Sequence, residues 1–302
     1  MIEVTGLVKR FGSTTAVAGV SFTARDGAVT GFIGPNGAGK STVLKAVSGL
    51  LAPDEGTATI DGHRLGATAL PPDLRGVFLS AEWIPAHQTA RSFLTYLCQV
   101  QGLPASRVDE VLRSVGLLAD ANRKIKGYSL GMRQRVGIGA AVMTQPRNLV
   151  LDEPINGLDP EGIRWIRDVI RGVADRGGAV LLSSHHMSEL SMVADHVVMI
   201  DRGRIVHEGA VTDGRVQGSD AAGPRRVYVE SPDLGLAARL LRAADLEVRS
   251  LDRGAIVTGA GPEDVGRVVF SGGGSLSHLA ERALSIEDVY FRRSLEDEEA
   301  VR

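Results

Sequence analysis

Nine consecutive residues, Gly34-Pro35-Asn36-Gly37-Ala38-Gly39-Lys40-Ser41-Thr42, restrict this chain more than any other feature. The glycines let backbone N–H groups turn inward around a polyphosphate. Lys40 supplies a cation for the outer phosphates, and Ser41 supplies a hydroxyl suited to Mg²⁺. Such a loop needs an apolar strand before it and a helix after it. Val29–Ile33 reads as that strand and Thr42–Leu50 as that helix, whose N-terminus adds its dipole to an anion site.

The segments around the loop continue the alternation expected of an α/β fold. Ile2–Lys9, Ala18–Ala24, Thr57–Asp61, Asn148–Leu151, Ala179–Ser183 and His196–Ile200 read as strands. Arg91–Gln101 and Ser106–Val115, parted by Pro104, have helical spacing, as do Ser129–Met143 and Gly162–Asp175. Residues 212–225 turn to Asp, Gly, Ser, Gln and Pro and read as a linker. Beyond it come a strand at Arg226–Glu230, a helix at Leu234–Ala243, a hairpin at Glu247–Thr258 around Asp252-Arg253-Gly254, and a helix at Glu263–Phe270. The expected layout is a domain over 1–211, a linker over 212–225 and a small α+β domain over 226–302.

Composition narrows the class. Of the 302 residues 43% are hydrophobic, with no apolar run long enough to cross a bilayer and no basic-then-apolar leader at Met1-Ile2-Glu3-Val4. A cytoplasmic location is expected. The single cysteine, Cys98, excludes internal disulfides and cysteine-rich zinc sites, and its apolar setting suggests a buried structural thiol. Net charge is −2, without the clustered basic face that nucleic acid requires. The run Arg123-Lys124-Ile125-Lys126 reads as a solvated patch, and Glu296–Glu299 as a frayed acidic end.

A second motif specifies the chemistry. Leu149-Val150-Leu151-Asp152-Glu153-Pro154 is an apolar strand ending in two carboxylates. With the strand beside Val29–Ile33, its C-terminal end would face the phosphates. Asp152 would then hold Mg²⁺ through its water shell, and Glu153 would act as general base toward the attacking water.

Tyr128-Ser129-Leu130-Gly131-Met132-Arg133-Gln134-Arg135 precedes that strand. Here the chain resembles the ATP-binding-cassette (ABC) ATPases, whose signature is LSGGQ. Ser129, Gly131, Gln134 and Arg135 match; Tyr128, Leu130 and Met132 depart. On its own Ser129 is a helix N-cap, and a capped helix start is an anion site apt for a γ-phosphate. Further matches follow in the family's order. Gly157-Leu158-Asp159-Pro160 resembles the loop lining the dimer seam, with Asp159 its functional residue. Ser183-Ser184-His185 resembles the switch-histidine strand end. His185 contacts the γ-phosphate in this likeness, and His186 is a neighbour without a role. Phe11 stands where the family stacks a ring on adenine. The resemblance covers residues 1 to about 210 and implies a P-loop NTPase fold with a helical lobe at 91–144.

What it implies for activity is equally definite. MgATP would be bound by Phe11, the 34–42 loop, Lys40 and Ser41. A head-to-tail pair, either two copies or one copy with a sister ATPase, would close over nucleotide as Ser129 and Gly131 of one chain complete the other's site. ATP hydrolysis would drive a separate integral-membrane permease docked near Ser80–Trp83, placing the chain on the cytoplasmic face of the membrane. The family's usual glutamine after Gly76-Val77-Phe78-Leu79 is absent; Ser80 occupies its position and Glu82 is a nearby acidic substitute. The ending Ser285-Ile286-Glu287-Asp288-Val289-Tyr290-Phe291 and the spelling Tyr-Ser-Leu-Gly-Met are similar to the drug- and antibiotic-export branch. The rival expectation is a soluble ABC ATPase acting in resistance or regulation without transport.

Overall fold

A computed structural model describes residues 1–64, 71–185, 190–212, 215–217, 226–251 and 254–281. The chain divides into two compact units, Met1–Asp213 and Gly214–Arg302. Long antiparallel strands β1 (Ile2–Phe11) and β2 (Thr14–Ala24) open the first unit and pair with β4 (Glu55–Ile60) and β5 (His63–Arg64) in the order β2-β1-β4-β5.

The second sheet of this unit builds the site. Its order is β10-β9-β3-β8-β7-β6, with β3 (Val29–Ile33), β6 (Arg75–Phe78), β7 (Asn148–Leu151), β8 (Val180–Ser184), β9 (His196–Asp201) and β10 (Arg204–Thr212). β3, β6, β7, β8 and β9 run parallel, and β10 returns antiparallel to β9. Every residue of β3, β7 and β8 is buried. That is why they read as unbroken apolar runs: both faces of a parallel sheet are covered. The β9–β10 turn, Arg202-Gly203, has φ of 44° and 77°. Two positive φ values give the two-residue turn whose twist suits a hairpin.

One expectation is corrected here. β7 does not lie beside β3, because β8 fills the slot between them and hydrogen-bonds to both. The consequence drawn from adjacency survives, since parallel strands deliver all their C-terminal ends to one edge of the sheet.

The helices are α1 (Lys40–Val47), α2 (Ala90–Val100), α3 (Ser106–Ser114), α4 (Leu130–Ala141) and α5 (Pro160–Asp175). Thr89, Ser129 and Asp159 cap α2, α4 and α5 through side-chain oxygens that accept from Ser92, Met132 and Gly162 N–H groups. A core of Ile2, Leu7, Phe22, Phe32, Leu44 and Leu181 ties both sheets to α1. Cys98 is buried, and its thiol points at the Leu103 and Pro104 carbonyls, both at 3.3 Å.

The stretch 212–225 is not all linker, since β11 (Arg215–Gln217) forms within it. In the second unit, β12 (Arg226–Glu230), α6 (Leu234–Ala243), β13 (Glu247–Leu251), β14 (Gly254–Thr258), α7 (Pro262–Ser271) and β15 (His278–Glu281) form an antiparallel sheet ordered β13-β14-β12-β15. This is the split β-α-β arrangement, with Val227, Val229, Leu241, Val257, Val265 and Val269 as its core. Asp252, Arg253, His186, the 285–291 segment and the 296–299 acidic run lie outside the described residues.

Candidate active site

The loop after β3 and the start of α1 enclose a cavity of about 290 Å³. The loop and α1 contribute Pro35, Asn36, Gly37, Gly39, Lys40, Ser41 and Thr42 to its lining, and the chain beyond β7 contributes Asp152 and Glu153. Gly39 is the N-cap of α1 with φ 107°, and no side chain caps the first turn. A Cβ there would lie 2.7 Å from the Ala16 carbonyl oxygen, so the tight turn leaves room only for glycine. Gly34 and Ala38 brace the loop rather than line the cavity. The Gly34 carbonyl accepts from Lys40 Nζ at 2.6 Å and that of Pro35 at 3.2 Å. Ala38 is buried with its N–H on the Pro35 carbonyl at 3.2 Å.

Lys40 is a buried cation facing two carboxylates. Burial pushes its ammonium below the ordinary value, while Glu153 and Asp152 act in the opposite direction. A site holding a desolvated cation and uncapped helix N–H groups is built for an anion. Ser41 and Asp152 line the same cavity. Hard oxygen donors of this kind fit Mg²⁺, which takes one or two protein ligands and completes its shell with water and phosphate oxygens.

The carboxylate arm is clamped from three directions. Asp152 leaves β7 buried, with its N–H on the Phe78 carbonyl at 2.8 Å. Its carboxylate accepts from the Ser183 hydroxyl at the end of β8. Ser183 Oγ in turn accepts from the Glu153 N–H at 3.0 Å. Glu153 has φ 47°, a left-handed conformation that costs a residue bearing a Cβ. Its carbonyl accepts from Gln134 Nε2 at 2.8 Å, and Gln134 is itself buried. Its side chain reaches His185, whose Nδ1 lies 2.8 Å from Oε2 and whose backbone N–H points at the same oxygen at 3.3 Å.

Glu153 and His185, named from sequence as catalytic residues, are therefore neighbours at one rim, joined to Asp152 through Ser183. Sequence reasoning assigned no role to Ser183 or Gln134, nor to Ala16 and Leu79, which also line the cavity. The Ser183 role could have been inferred from a polar residue closing an otherwise apolar strand. Gln134 carries only its match to the signature.

Ser129, Gly131 and Asp159 do not line this cavity. They form a second group within the same chain. A Cβ on Gly131 would lie 2.5 Å from the Gly157 carbonyl oxygen, and Gly157 packs on the Leu130 side chain. Asp159 binds Arg135 at 2.5 Å while capping α5 through the Gly162 N–H at 2.9 Å. Both contacts hold its carboxyl below the usual range, the Gly162 bond foremost. Tyr128, the substitute for the signature leucine, is buried with its hydroxyl on the Asp120 carbonyl at 2.7 Å. Phe11 also stands apart from the cavity lining. Its ring is 52% exposed at the end of β1, with Lys9 Nζ 5.8 Å from its centroid. Ser80 caps the short turn Ala81–Trp83 by accepting from the Glu82 N–H at 3.1 Å, and neither Ser80 nor Glu82 lines the phosphate cavity.

Comparison with known proteins meets this geometry. The family profile described as ABC transporter matches residues 17–156. The daunorubicin/doxorubicin resistance ATP-binding protein DrrA of Streptomyces peucetius is 34% identical over 82% of this chain and 76% of its own length. The daunorubicin resistance ATP-binding protein DrrA3 of Streptomyces coeruleorubidus is 32% identical over 98% of this chain and 93% of its own. A solved ATP-binding subunit of an ABC transporter superposes with a TM-score of 0.62 at 27% identity, over 70% of this chain and 91% of that one.

Proposed function

From the premise that this chain belongs to the ABC transporter family of ATP-binding proteins, we propose that it is the ATP-hydrolysing motor subunit of an exporter of a drug, antibiotic or other small molecule. The observation carrying this reading is the single cavity that gathers the 35–42 loop, Asp152 and Glu153, with His185 bonded to Glu153. The ATP-binding domain covers 1–211 with its helical lobe at 91–144, and 226–302 is an accessory domain.

The polyphosphate of ATP lies along the N–H groups of the loop and the first turn of α1, with Lys40 Nζ leaving the Gly34 and Pro35 carbonyls to meet it. Phe11 stacks on the adenine. Ser41 and Asp152 hold Mg²⁺, which offsets phosphate charge when bound. Glu153 takes a proton from the attacking water, and His185 both orients that carboxylate and faces the γ-phosphate. Ser129 and Gly131, which do not line their own cavity, serve the nucleotide of a second copy, with Asp159 at the seam. ATP then has contacts on both sides only in the closed pair, so binding shifts the population toward closure and hydrolysis releases it. Among the described residues no helix is long and apolar enough to cross a membrane. In this reading the transported molecule is handled by a separate membrane protein, docked at the helical lobe near Ser80–Trp83 from the cytoplasmic side.

Glu153→Gln tests the reading. General-base loss is worth roughly 10²–10⁴-fold in turnover. We expect ATP binding to persist, phosphate release to fall by that order, and ATP-loaded pairs to accumulate in light scattering. Turnover at the native rate would remove Glu153 from the role.

A further inference from the structure

The three residues that lead into the α4 cap are each held by a different anchor. The Lys126 carbonyl accepts from Arg133 Nη2 at 3.2 Å. The Gly127 carbonyl accepts from Arg123 Nη2. The Tyr128 hydroxyl donates to the Asp120 carbonyl at 2.7 Å, and the residue is buried. Upstream, the Ile125 and Lys126 N–H groups bond to the Gln88 and Ala86 carbonyls at 2.9 and 2.8 Å. Residues 120–128 thus form a strap, fastened to 86–88 and ending at Ser129, whose hydroxyl accepts from the Met132 N–H at 3.2 Å.

Arg123 is the hub of this strap. Besides Gly127, its guanidinium pairs with Asp120 at 3.0 Å and lies 5.4 Å from the Tyr128 ring centroid. One planar cation therefore joins the start of the strap, the carbonyl two residues before the cap, and the ring next to the cap. Arginine has both the forked donors and the flat face that this needs. Its charge reaches the phenol: burial and Asp120 raise the Tyr128 pKa, and Arg123 opposes them. The Arg123 side chain is 50% exposed, and ion pairs in that setting contribute little to folding. They can still fix a direction. The first N–H groups of a helix have no partner within it, and where they point depends on the backbone that enters the cap.

Resting on the paired-site reading above, we infer that Arg123, stacked on Tyr128, is a positioning residue for the nucleotide of the second copy: it aims the α4 start at the partner's γ-phosphate. Tyr128, a departure from the signature, is its platform. Gln134, further along the same helix, holds the Glu153 of its own chain. The two residues would thus serve different nucleotides.

The test uses full chains. Arg123→Met and Tyr128→Leu each remove the stack, so MgATP-driven pairing in light scattering should weaken roughly fivefold or more. ATP affinity of the single chain should stay within twofold in calorimetry, and the melting temperature should stay close to native. Tyr128→Phe keeps the ring and should lose less than Tyr128→Leu. The double variant should be no weaker than the worse single one, because both remove the same contact. Native-like pairing in both single variants, or losses that add in the double, would overturn the inference. Mixing assigns the direction. Arg123→Met chains are combined with excess Glu153→Gln chains before MgATP is added. In each mixed pair, Glu153 of the first chain meets the native strap of the second, so phosphate release per Arg123→Met chain should rise severalfold. No rise would mean that Arg123 acts on its own site. Ser129→Arg mixed in the same way is the control. A rise for Ser129→Arg without one for Arg123→Met defeats the positioning assignment alone; no rise for either defeats the paired-site reading and this inference with it.

Discussion

Gln134→Leu is the perturbation whose size the structure fixes best. Glu153 sits at φ 47°, a conformation that costs a non-glycine residue about 1–2 kcal/mol. Three bonds hold its backbone there, Glu153 N–H to Ser183 Oγ at 3.0 Å, Gln134 Nε2 to the Glu153 carbonyl at 2.8 Å and the Asn156 N–H to the same carbonyl at 3.3 Å. Leucine nearly preserves the volume of the buried amide but removes the closer of that carbonyl's two donors, leaving the Asn156 N–H at 3.3 Å; losing one such bond costs about 0.5–1.5 kcal/mol. The loss is comparable with the strain the clamp opposes, so the left-handed state loses its advantage. With each 1.4 kcal/mol worth about tenfold, kcat should fall about two- to twelvefold. The phosphate loop is untouched, so ATP affinity should change less than twofold. Steady-state phosphate release gives kcat, calorimetry gives the affinity, and a melting curve separates catalysis from folding. Gln134→Glu, isosteric but turning an acceptor toward the carbonyl, should be no better than leucine. A kcat within twofold of native in both variants, or a loss explained by ATP affinity, would refute the claim that Gln134 positions the base.

Other outcomes follow from the same geometry. Gly39→Ala places a Cβ 2.7 Å from the Ala16 carbonyl at φ 107°; it should abolish ATP binding in calorimetry while the second unit keeps its fold. Gly131→Ala meets the Gly157 carbonyl at 2.5 Å, so α4 and the 157–159 loop must part. Overpacking of this kind costs about 1–3 kcal/mol, and we expect ATP binding by the single chain to persist while ATP-dependent pairing in light scattering weakens at least tenfold. Lys40→Arg should lose most ATP affinity despite keeping its charge, because the buried ammonium lies 2.6 Å from the Gly34 carbonyl and a guanidinium does not fit there; unchanged affinity would contradict the loop assignment.

The sequence made the phosphate site legible because its signals are local. Fully buried parallel strands appear as apolar runs, so Val29–Ile33 and Asn148–Leu151 stand where expected. Helix starts are marked by caps at Thr89, Ser129 and Asp159. Spatial order was not legible: nothing in the residues of β8 says that it separates β3 from β7, because neighbours in a parallel sheet are chosen by crossovers through the whole unit. Short strands such as β6 and β11 carry too few residues for a period to register. The clamp on Glu153 depends on contacts between segments distant in sequence, such as Gln134 and Glu153. Ser80 carries a different kind of signal. Counting from Gly76 puts it at the family's glutamine position, and its hydroxyl accepts from the Glu82 N–H in capping a turn.

In the proposed closed pair, one nucleotide is held between two copies of the chain. Ser129→Cys and Asn36→Cys chains, each in a Cys98→Ala, Glu153→Gln background, should be mixed and oxidised with and without MgATP. A disulfide-linked heterodimer is expected to form only with MgATP, since the partner's α4 start would then meet the phosphate loop. Both variants binding ATP while no ATP-dependent cross-link forms would contradict it.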